Sequence, residues 1–302
     1  MTPLIEIKGV TKRFPIGGVL SGRDVRAVDD ATFAIGTGGP EIFTIIGESG
    51  SGKTTLARMI LGLERPTSGE ILFQGTPVTH RNRRERLAFM AKVQPVFQNP
   101  FEAFNPLKRV DRYLESTARQ FLGLRDQPAV DAAMDAALQK VGLSLAELRG
   151  RFPHELSGGQ LQRVAIARAL IPNPLLLIAD EPVSMVDASL RMAIVNLLRK
   201  LRDEMGVSVV YITHDLATAY YISDRLIIMQ RGRIVEMGPA RAILEAPEHP
   251  YSRLLKASVL STEQAGEVTL TVTNDFDSAA AISPEGRLVT RPDGRMVRVG
   301  SD

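Results

Sequence analysis

The feature that most constrains this chain is a glycine-rich stretch between an apolar run and a segment with a helical pattern. The apolar run covers residues 42–46, the helical pattern covers residues 56–61, and the stretch between them is Gly47, Glu48, Ser49, Gly50, Ser51, Gly52, Lys53, Thr54 and Thr55. Strand, glycine loop and helix in this order are the context of a P-loop, in which backbone N–H groups and the helix start bind phosphate. The alternative is a glycine-rich turn that binds nothing. The full spacing with both flanks predicts a nucleoside triphosphate site.

The side chains of that loop and of a second motif predict how the triphosphate is used. In a P-loop, Lys53 reaches the β- and γ-phosphates and the Thr54 hydroxyl ligates Mg²⁺. An apolar strand at residues 175–179 ends in Asp180 and Glu181. After a P-loop, such a strand places Asp180 in the Mg²⁺ shell, and Glu181 is positioned to orient or deprotonate the attacking water. The alternative is a buried strand that ends at a polar surface turn.

Composition narrows the class of protein. The chain has 302 residues, 44% hydrophobic and 24% charged, as in a soluble globular protein of one large or two modest domains. The net charge of +3 suits docking near an anionic membrane surface but does not signal nucleic-acid binding. The absence of cysteine excludes disulfides and Cys-ligated zinc or iron–sulfur sites. No signal peptide and no membrane-spanning run are evident, so we expect a cytoplasmic chain that reaches a membrane only through a partner.

The order of apolar patterns predicts the organisation of the chain. Strand-like runs up to residue 97 give way to helical periodicity between Asn99 and about Pro172, and strands then return at 175–179, 207–212, 225–229 and 233–236. Residues 15–26 look like a loop, and a helix is expected from Ala188 to Met205. Past Gly238, the pattern predicts two short helices in 239–260, a strand at 267–273 and a hairpin at 287–299. An α/β nucleotide-binding core with an inserted helical subdomain fits this order.

A third motif begins the helix expected at residues 161–170. It consists of Leu156, Ser157, Gly158, Gly159 and Gln160. Ser157 alone could be an N-cap followed by glycines that permit a turn. With all five residues in order, the sequence resembles the ATP-binding subunits of ABC transporters, whose signature motif this is. The resemblance covers about residues 4–260.

The resemblance implies roles for further residues, taken position by position. Phe14 stands where the family has an aromatic that stacks on adenine, although an ordinary loop-edge hydrophobe is the alternative. Gln98 matches the glutamine that contacts Mg²⁺ and senses the γ-phosphate, Asp187 the aspartate of the loop after the carboxylates, and His214 the switch histidine. Lys53, Glu181 and His214 are therefore expected to be catalytic, and Thr54, Gln98 and Asp180 to ligate the metal.

The resemblance also implies a fold and an assembly. The fold is α/β, a RecA-like P-loop NTPase core (1–98 and 173–240) with an antiparallel β subdomain, an inserted helical subdomain (99–172) and a small β-containing C-terminal appendage (241–302). Two such subunits sandwich two ATP molecules, with Ser157 and Gly159 of one touching the γ-phosphate bound by the other. The second nucleotide-binding subunit is a copy of this chain or a paralogue.

Two longer stretches resemble the dipeptide and oligopeptide importer branch of the family, one at residues 97–106 and one at residues 247–255. That branch commonly carries cysteines after the second stretch, and this chain has none. The expected function is ATP hydrolysis on the inner face of the cell membrane for a permease that an extracytoplasmic solute-binding protein supplies. Phe101 and Phe104 either contact that permease or pack within the helical subdomain. The alternative function is a soluble ABC-type ATPase that powers an enzyme complex such as carbon–phosphorus lyase; an exporter subunit is less favoured.

Overall fold

The computed structural model describes residues 2–16, 23–79, 82–184, 186–263 and 286–300. The chain divides into two compact units, of which the first is built from two separate segments and the second from one continuous segment. The first unit comprises Met1–Pro77 and Ile212–Asp302, and the second comprises Val78–Tyr211. The predicted division into core, helical subdomain and appendage stays a prediction.

Strands and helices alternate along much of the described chain. The strands are β1 (Ile5–Ile16), β2 (Arg23–Ile35), β3 (Ile42–Ile46), β4 (Ser68–Phe73), β5 (Thr76–Pro77), β6 (Val93–Val96), β7 (Leu176–Asp180), β8 (Ser208–Thr213), β9 (Arg225–Gln230), β10 (Arg233–Pro239), β11 (Arg287–Thr290) and β12 (Met296–Val299). The helices are α1 (Lys53–Ile60), α2 (Arg83–Lys92), α3 (Pro100–Ala103), α4 (Val110–Leu122), α5 (Gln127–Lys140), α6 (Leu145–Leu148), α7 (Gly158–Leu170), α8 (Ala188–Met205), α9 (Leu216–Ile222), α10 (Ala240–Glu245) and α11 (Pro250–Glu263). A 3₁₀ turn covers Pro153–Glu155.

An antiparallel sheet in the first unit has the order β2-β1-β4-β5. The loop predicted for residues 15–26 is wrong at both ends, because β1 and β2 remain paired as far as Ile16 and Arg23. Pro15 is tolerated in this strand because β1 pairs with β4 only as far as Thr11. Beyond that point none of the described strands pairs with that side of β1, so the missing N–H of proline leaves no ladder bond unmade among the described residues.

A second group of strands in the first unit has the order β11-β12-β10-β9-β3. All five residues of β3 are buried, and β3 runs parallel to β9, as expected for a strand covered on both faces. The predicted C-terminal hairpin is confirmed: β11 and β12 pair antiparallel, and β12 extends the sheet beside β10. The strand predicted at 267–273 lies outside the described residues.

The second unit contains most of the helices. The predicted helical stretch is confirmed by α4, α5 and α7, which bury apolar residues such as Leu114, Val130 and Leu161. The strands β6 and β7 lie side by side and run parallel. Helix α8 has the predicted bounds: it ends at Met205, and Gly206, with a φ of 67°, provides a left-handed C-cap.

Candidate functional site

The P-loop turns between β3 and α1, and glycine is required at two of its positions. A Cβ on Gly47 would lie 2.3 Å from the Met229 carbonyl oxygen, and one on Gly52 would lie 2.1 Å from the Ala27 carbonyl oxygen. Gly52 also has a φ of 102° and begins α1 without a side-chain cap. The first N–H groups of the helix are therefore not capped by the residue that precedes it, which suits an anion at this end.

Polar groups inside the loop fit a phosphate ligand. Lys53 is buried, and its Nζ donates to the carbonyl oxygens of Gly47 and Glu48, both at 2.7 Å. The hydroxyl of Ser51 is buried and makes no hydrogen bond to any residue in the described ranges. A buried hydroxyl without a partner is costly, and a bound phosphate oxygen would supply one. Ser49, Gly50 and Thr54 are exposed, and Thr55 is half-buried.

The strand β7 carries the two predicted carboxylates. Its first four residues are buried, Asp180 is half-buried, and Glu181 follows with a φ of 44°. This left-handed conformation costs a non-glycine residue on the order of 1 kcal/mol and is found mainly where the surrounding structure enforces it. Here the N–H and hydroxyl of Ser184 both donate to the Glu181 carbonyl oxygen, at 3.1 and 3.0 Å.

Gln98 and Glu181 are in direct contact. Gln98 Nε2 donates to Glu181 Oε2 at 2.9 Å. The contact arises because β6 and β7 are parallel neighbours, so the residues that follow them emerge at the same edge. The family resemblance predicts Gln98 near Mg²⁺ and near the γ-phosphate, and that stays a prediction; its pairing with the predicted catalytic carboxylate was not predicted.

The signature residues form the start of α7. Ser157 is its N-cap in a capping box with Gln160: the Gln160 N–H donates to Ser157 Oγ at 3.2 Å, and the Ser157 N–H donates to Gln160 Oε1 at 3.0 Å. A Cβ on the buried Gly159 would lie 2.7 Å from Leu190 Cδ1 of α8. Gly158 is half-buried, and Ser157 and Gln160 are exposed. The cap is thus present, and a contact of Ser157 with nucleotide stays a prediction.

The remaining predicted residues occupy the ends of elements or an exposed strand face. Asp187 precedes α8 and is exposed, without capping the helix through its side chain. His214 follows β8 and is exposed. Phe14 lies on β1 with 38% of its surface exposed, and Lys12 Nζ lies 4.9 Å from its ring centre. An exposed aromatic face suits stacking on a planar base.

The two candidates for permease contact differ. Phe104 is buried and lies edge-to-face on Tyr113, with ring centres 5.0 Å apart. Phe104 therefore packs within its own unit. Phe101, by contrast, is 46% exposed.

A residue of the C-terminal segment contacts the P-loop and was not predicted as a site residue. The Glu48 N–H donates to the hydroxyl of Tyr251 at 3.0 Å. Burial raises the pKa of Tyr251 to about 12, so the hydroxyl stays neutral at physiological pH. The sequence offered only the resemblance of residues 247–255 to a family stretch, which does not reveal this contact.

Comparison with known proteins places the chain among ATP-binding cassettes. Residues 28–184 match the model of the ABC transporter family. A probable peptide ABC transporter ATP-binding protein of Sinorhizobium fredii is 40% identical over 258 residues, which cover 84% of this chain and 72% of that protein. A glutathione import ATP-binding protein of Salmonella paratyphi A is 40% identical over 260 residues, which cover 85% of this chain and 41% of that protein. The chain thus spans less than half the length of the glutathione protein.

Among solved structures, a dimeric ATP-binding cassette in a post-hydrolysis state bound to ADP and Pi is similar with a TM-score of 0.69 and 30% identity. The match covers 78% of this chain and 99% of that chain. The predicted fold class is confirmed by this likeness. Within the residues described here, none of the helices has both the length and the apolar character needed to cross a bilayer.

Proposed function

The chain belongs to the ABC transporter family, and we propose that it is the ATP-hydrolysing nucleotide-binding subunit of an importer for peptides or similar small solutes. The observation that carries the proposal is the P-loop, which contains the buried Lys53 ammonium and a buried Ser51 hydroxyl without a hydrogen-bond partner among the described residues, and in which Gly47 and Gly52 leave no room for a Cβ. The substrate class follows the relatives, which are named for peptide and glutathione transport.

The chemistry proposed for the site is transfer of the γ-phosphoryl group to water. This reaction depends on positioning and on stabilisation of charge. Lys53 binds the phosphates, Glu181 orients or deprotonates the attacking water, and His214 interacts with the γ-phosphate. Phe14 stacks on the adenine.

Mg²⁺ is proposed as the second cofactor. Thr54, Gln98 and Asp180 offer a hydroxyl, an amide and a carboxylate, and oxygen donors of this kind are the ligands that Mg²⁺ prefers. The bound ion would neutralise phosphate charge. The hydrogen bond from Gln98 to Glu181 supports a further role for Gln98, which is to hold the carboxylate until nucleotide arrives.

Assembly is proposed to require a second nucleotide-binding subunit, either a copy of this chain or a paralogue. The signature residues Ser157, Gly158, Gly159 and Gln160, together with Asp187, would then act on the nucleotide of the opposite subunit. A dimeric cassette bound to ADP and Pi among the similar structures supports this arrangement. Because ATP binds the closed dimer better than the open one, and hydrolysis removes that preference, the cycle can drive a coupled partner between two states.

The membrane partners are proposed to be an integral permease and, through it, an extracytoplasmic solute-binding protein. The chain would then be peripheral on the inner face of the cell membrane. Phe101 is a candidate for the permease contact because it is exposed in the second unit. The soluble enzyme-complex alternative uses the same ATP site, but the relatives are named for transport, which favours the importer.

Capture of the tagged chain from membranes in mild detergent tests the proposal. The expected result is co-purification of a polytopic permease, with or without a paralogous ATPase, and ATP hydrolysis by the captured complex. Recovery of soluble enzyme subunits without any membrane protein would contradict the importer and favour the alternative. A Phe101→Ala variant should reduce permease recovery, whereas a change at the exposed Arg112 of the same unit serves as the control.

A further inference from the structure

One peptide group of the P-loop is held at both ends. The Gly47 carbonyl oxygen accepts from Lys53 Nζ at 2.7 Å, and the Glu48 N–H donates to the Tyr251 hydroxyl at 3.0 Å. These two atoms belong to the same planar peptide unit, so fixing both ends fixes its orientation. The P-loop lysine and a tyrosine some 200 residues later in the chain therefore act on a single peptide.

Tyr251 is itself held rigidly. Only 1% of its surface is exposed, and it packs in the apolar cluster that contains Ile46, the last residue of β3. Its N–H donates to His249 Nδ1 at 3.2 Å. Burial lowers the pKa of His249 to about 4, so Nδ1 stays an acceptor at neutral pH.

The residues just before Tyr251 are anchored from β10. The carboxylate of Glu236 is completely buried and accepts the N–H of Glu248 at 3.1 Å and the N–H of His249 at 3.3 Å. Hydrogen bonds to a buried carboxylate are among the stronger ones in proteins, and they fix the backbone that enters α11.

The C-terminal hairpin is tied to the same segment. Arg291 Nε and Arg295 Nη2 lie 2.7 and 3.1 Å from the two carboxylate oxygens of Glu248. Arg298 of β12, itself buried, donates through Nε to the Ile234 carbonyl oxygen of β10 at 2.8 Å. A continuous series of contacts thus runs from the hairpin through Glu248 and Tyr251 to the P-loop.

We propose that Tyr251 is a positioning residue for nucleotide binding, because its hydroxyl holds the Gly47–Glu48 peptide in place while Lys53 turns from the loop carbonyls to the phosphates. The inference rests on the proposed ATP binding. Without the hydroxyl, the hydrogen bond from Lys53 is the one that remains on this peptide among the described residues of the free protein. Nucleotide must then draw the lysine away from a peptide that has already lost its other hydrogen bond, which lowers affinity.

The test is the dissociation constant of a non-hydrolysable ATP analogue, measured by calorimetry with Mg²⁺ on the full chain. The Tyr251→Phe variant keeps the ring and removes only the hydroxyl, and we expect its Kd to rise about 2- to 10-fold, the range for loss of one hydrogen bond. Tyr113→Phe is the matched control, because the Tyr113 hydroxyl also accepts a backbone N–H, that of Asn105 at 2.6 Å, within the second unit. The control should lose thermal stability without a change in Kd.

The possible results separate this inference from the proposed function. An unchanged Kd in Tyr251→Phe, with normal binding by the wild type, overturns the positioning role and leaves the proposed function intact. Absence of binding by the wild type overturns both. If Tyr251→Phe does not fold, hydrogen exchange in the wild type decides: the Glu48 amide should stay protected with the analogue bound, and free exchange in that state overturns the inference.

Discussion

Substitution of Gly52 by alanine tests the geometry of the P-loop. The new Cβ would lie 2.1 Å from the Ala27 carbonyl oxygen of β2, far inside van der Waals contact. The obstacle is backbone, so no rotation of a side chain relieves it. Gly52 also has a φ of 102°, a conformation that L-residues rarely adopt.

Gly50 is the matched control because it separates the cost of a side chain at positive φ from the cost of the clash with backbone. Its φ is 81°, but a Cβ there would meet nothing within 4 Å. Gly50→Ala should therefore lower the free energy of unfolding only by the conformational cost, about 1 kcal/mol. Gly52→Ala adds the cost of forcing atoms into a packed site, about 1–3 kcal/mol, for a total of about 2–4 kcal/mol.

Thermal unfolding followed by circular dichroism measures the difference. At about 2–4 °C per kcal/mol, the midpoint should fall by about 2–4 °C in Gly50→Ala and by about 4–16 °C in Gly52→Ala. Calorimetry should show that Gly52→Ala also loses nucleotide affinity, since the loop must move to make room. Equal losses of stability in the two variants would refute the reasoning that close approach of β2 dictates glycine at this position.

Three further perturbations test other parts of the account. Glu181→Gln should slow phosphate release by about 100-fold or more while nucleotide binding persists, because an amide cannot act as a base. Turnover at the wild-type rate in a phosphate-release assay would show that Glu181 does not activate the water. Ser157→Arg should abolish hydrolysis and destabilise α7 by about 1 kcal/mol through loss of the N-cap. Ser157→Asp keeps a cap and should lose hydrolysis alone. Hydrolysis by either variant would contradict the proposed contact of Ser157 with the γ-phosphate. The pKa of His249 is lowered to about 4 in the folded chain, so the unfolded chain binds more protons between pH 6.5 and 4, and stability should fall as the pH falls through that interval. His249→Gln should flatten this part of the plot of melting temperature against pH. Identical plots for the two proteins would contradict this linkage.

Local patterns were sufficient to predict the elements that local chemistry determines. Helix α8 was predicted from Ala188 to Met205 by the helical pattern between two strands, and the structure shows these bounds with Gly206 as a left-handed C-cap. The C-terminal hairpin was predicted because Asp293 and Gly294 give a turn between two alternating segments. The P-loop needed only its own spacing and flanks.

Contacts between distant segments were not predictable in the same way. The Gln98–Glu181 hydrogen bond depends on β6 and β7 being neighbours, which no local pattern reveals. Phe104 and Phe101 lie three residues apart, and tertiary packing, including the contact of Phe104 with Tyr113, buries the first and leaves the second exposed. The loop predicted at Pro15 was wrong because proline is excluded only where its N–H would face a partner strand.

Phosphate release by the complex captured from membranes, compared between the wild type and Lys53→Ala, tests whether this P-loop powers an importer. We expect steady hydrolysis of Mg²⁺-ATP by the wild-type complex and loss of nearly all of it in Lys53→Ala, with the same permease recovered in both. Equal rates in the two complexes, or no hydrolysis by the wild-type complex, would contradict the claim that this P-loop powers an importer.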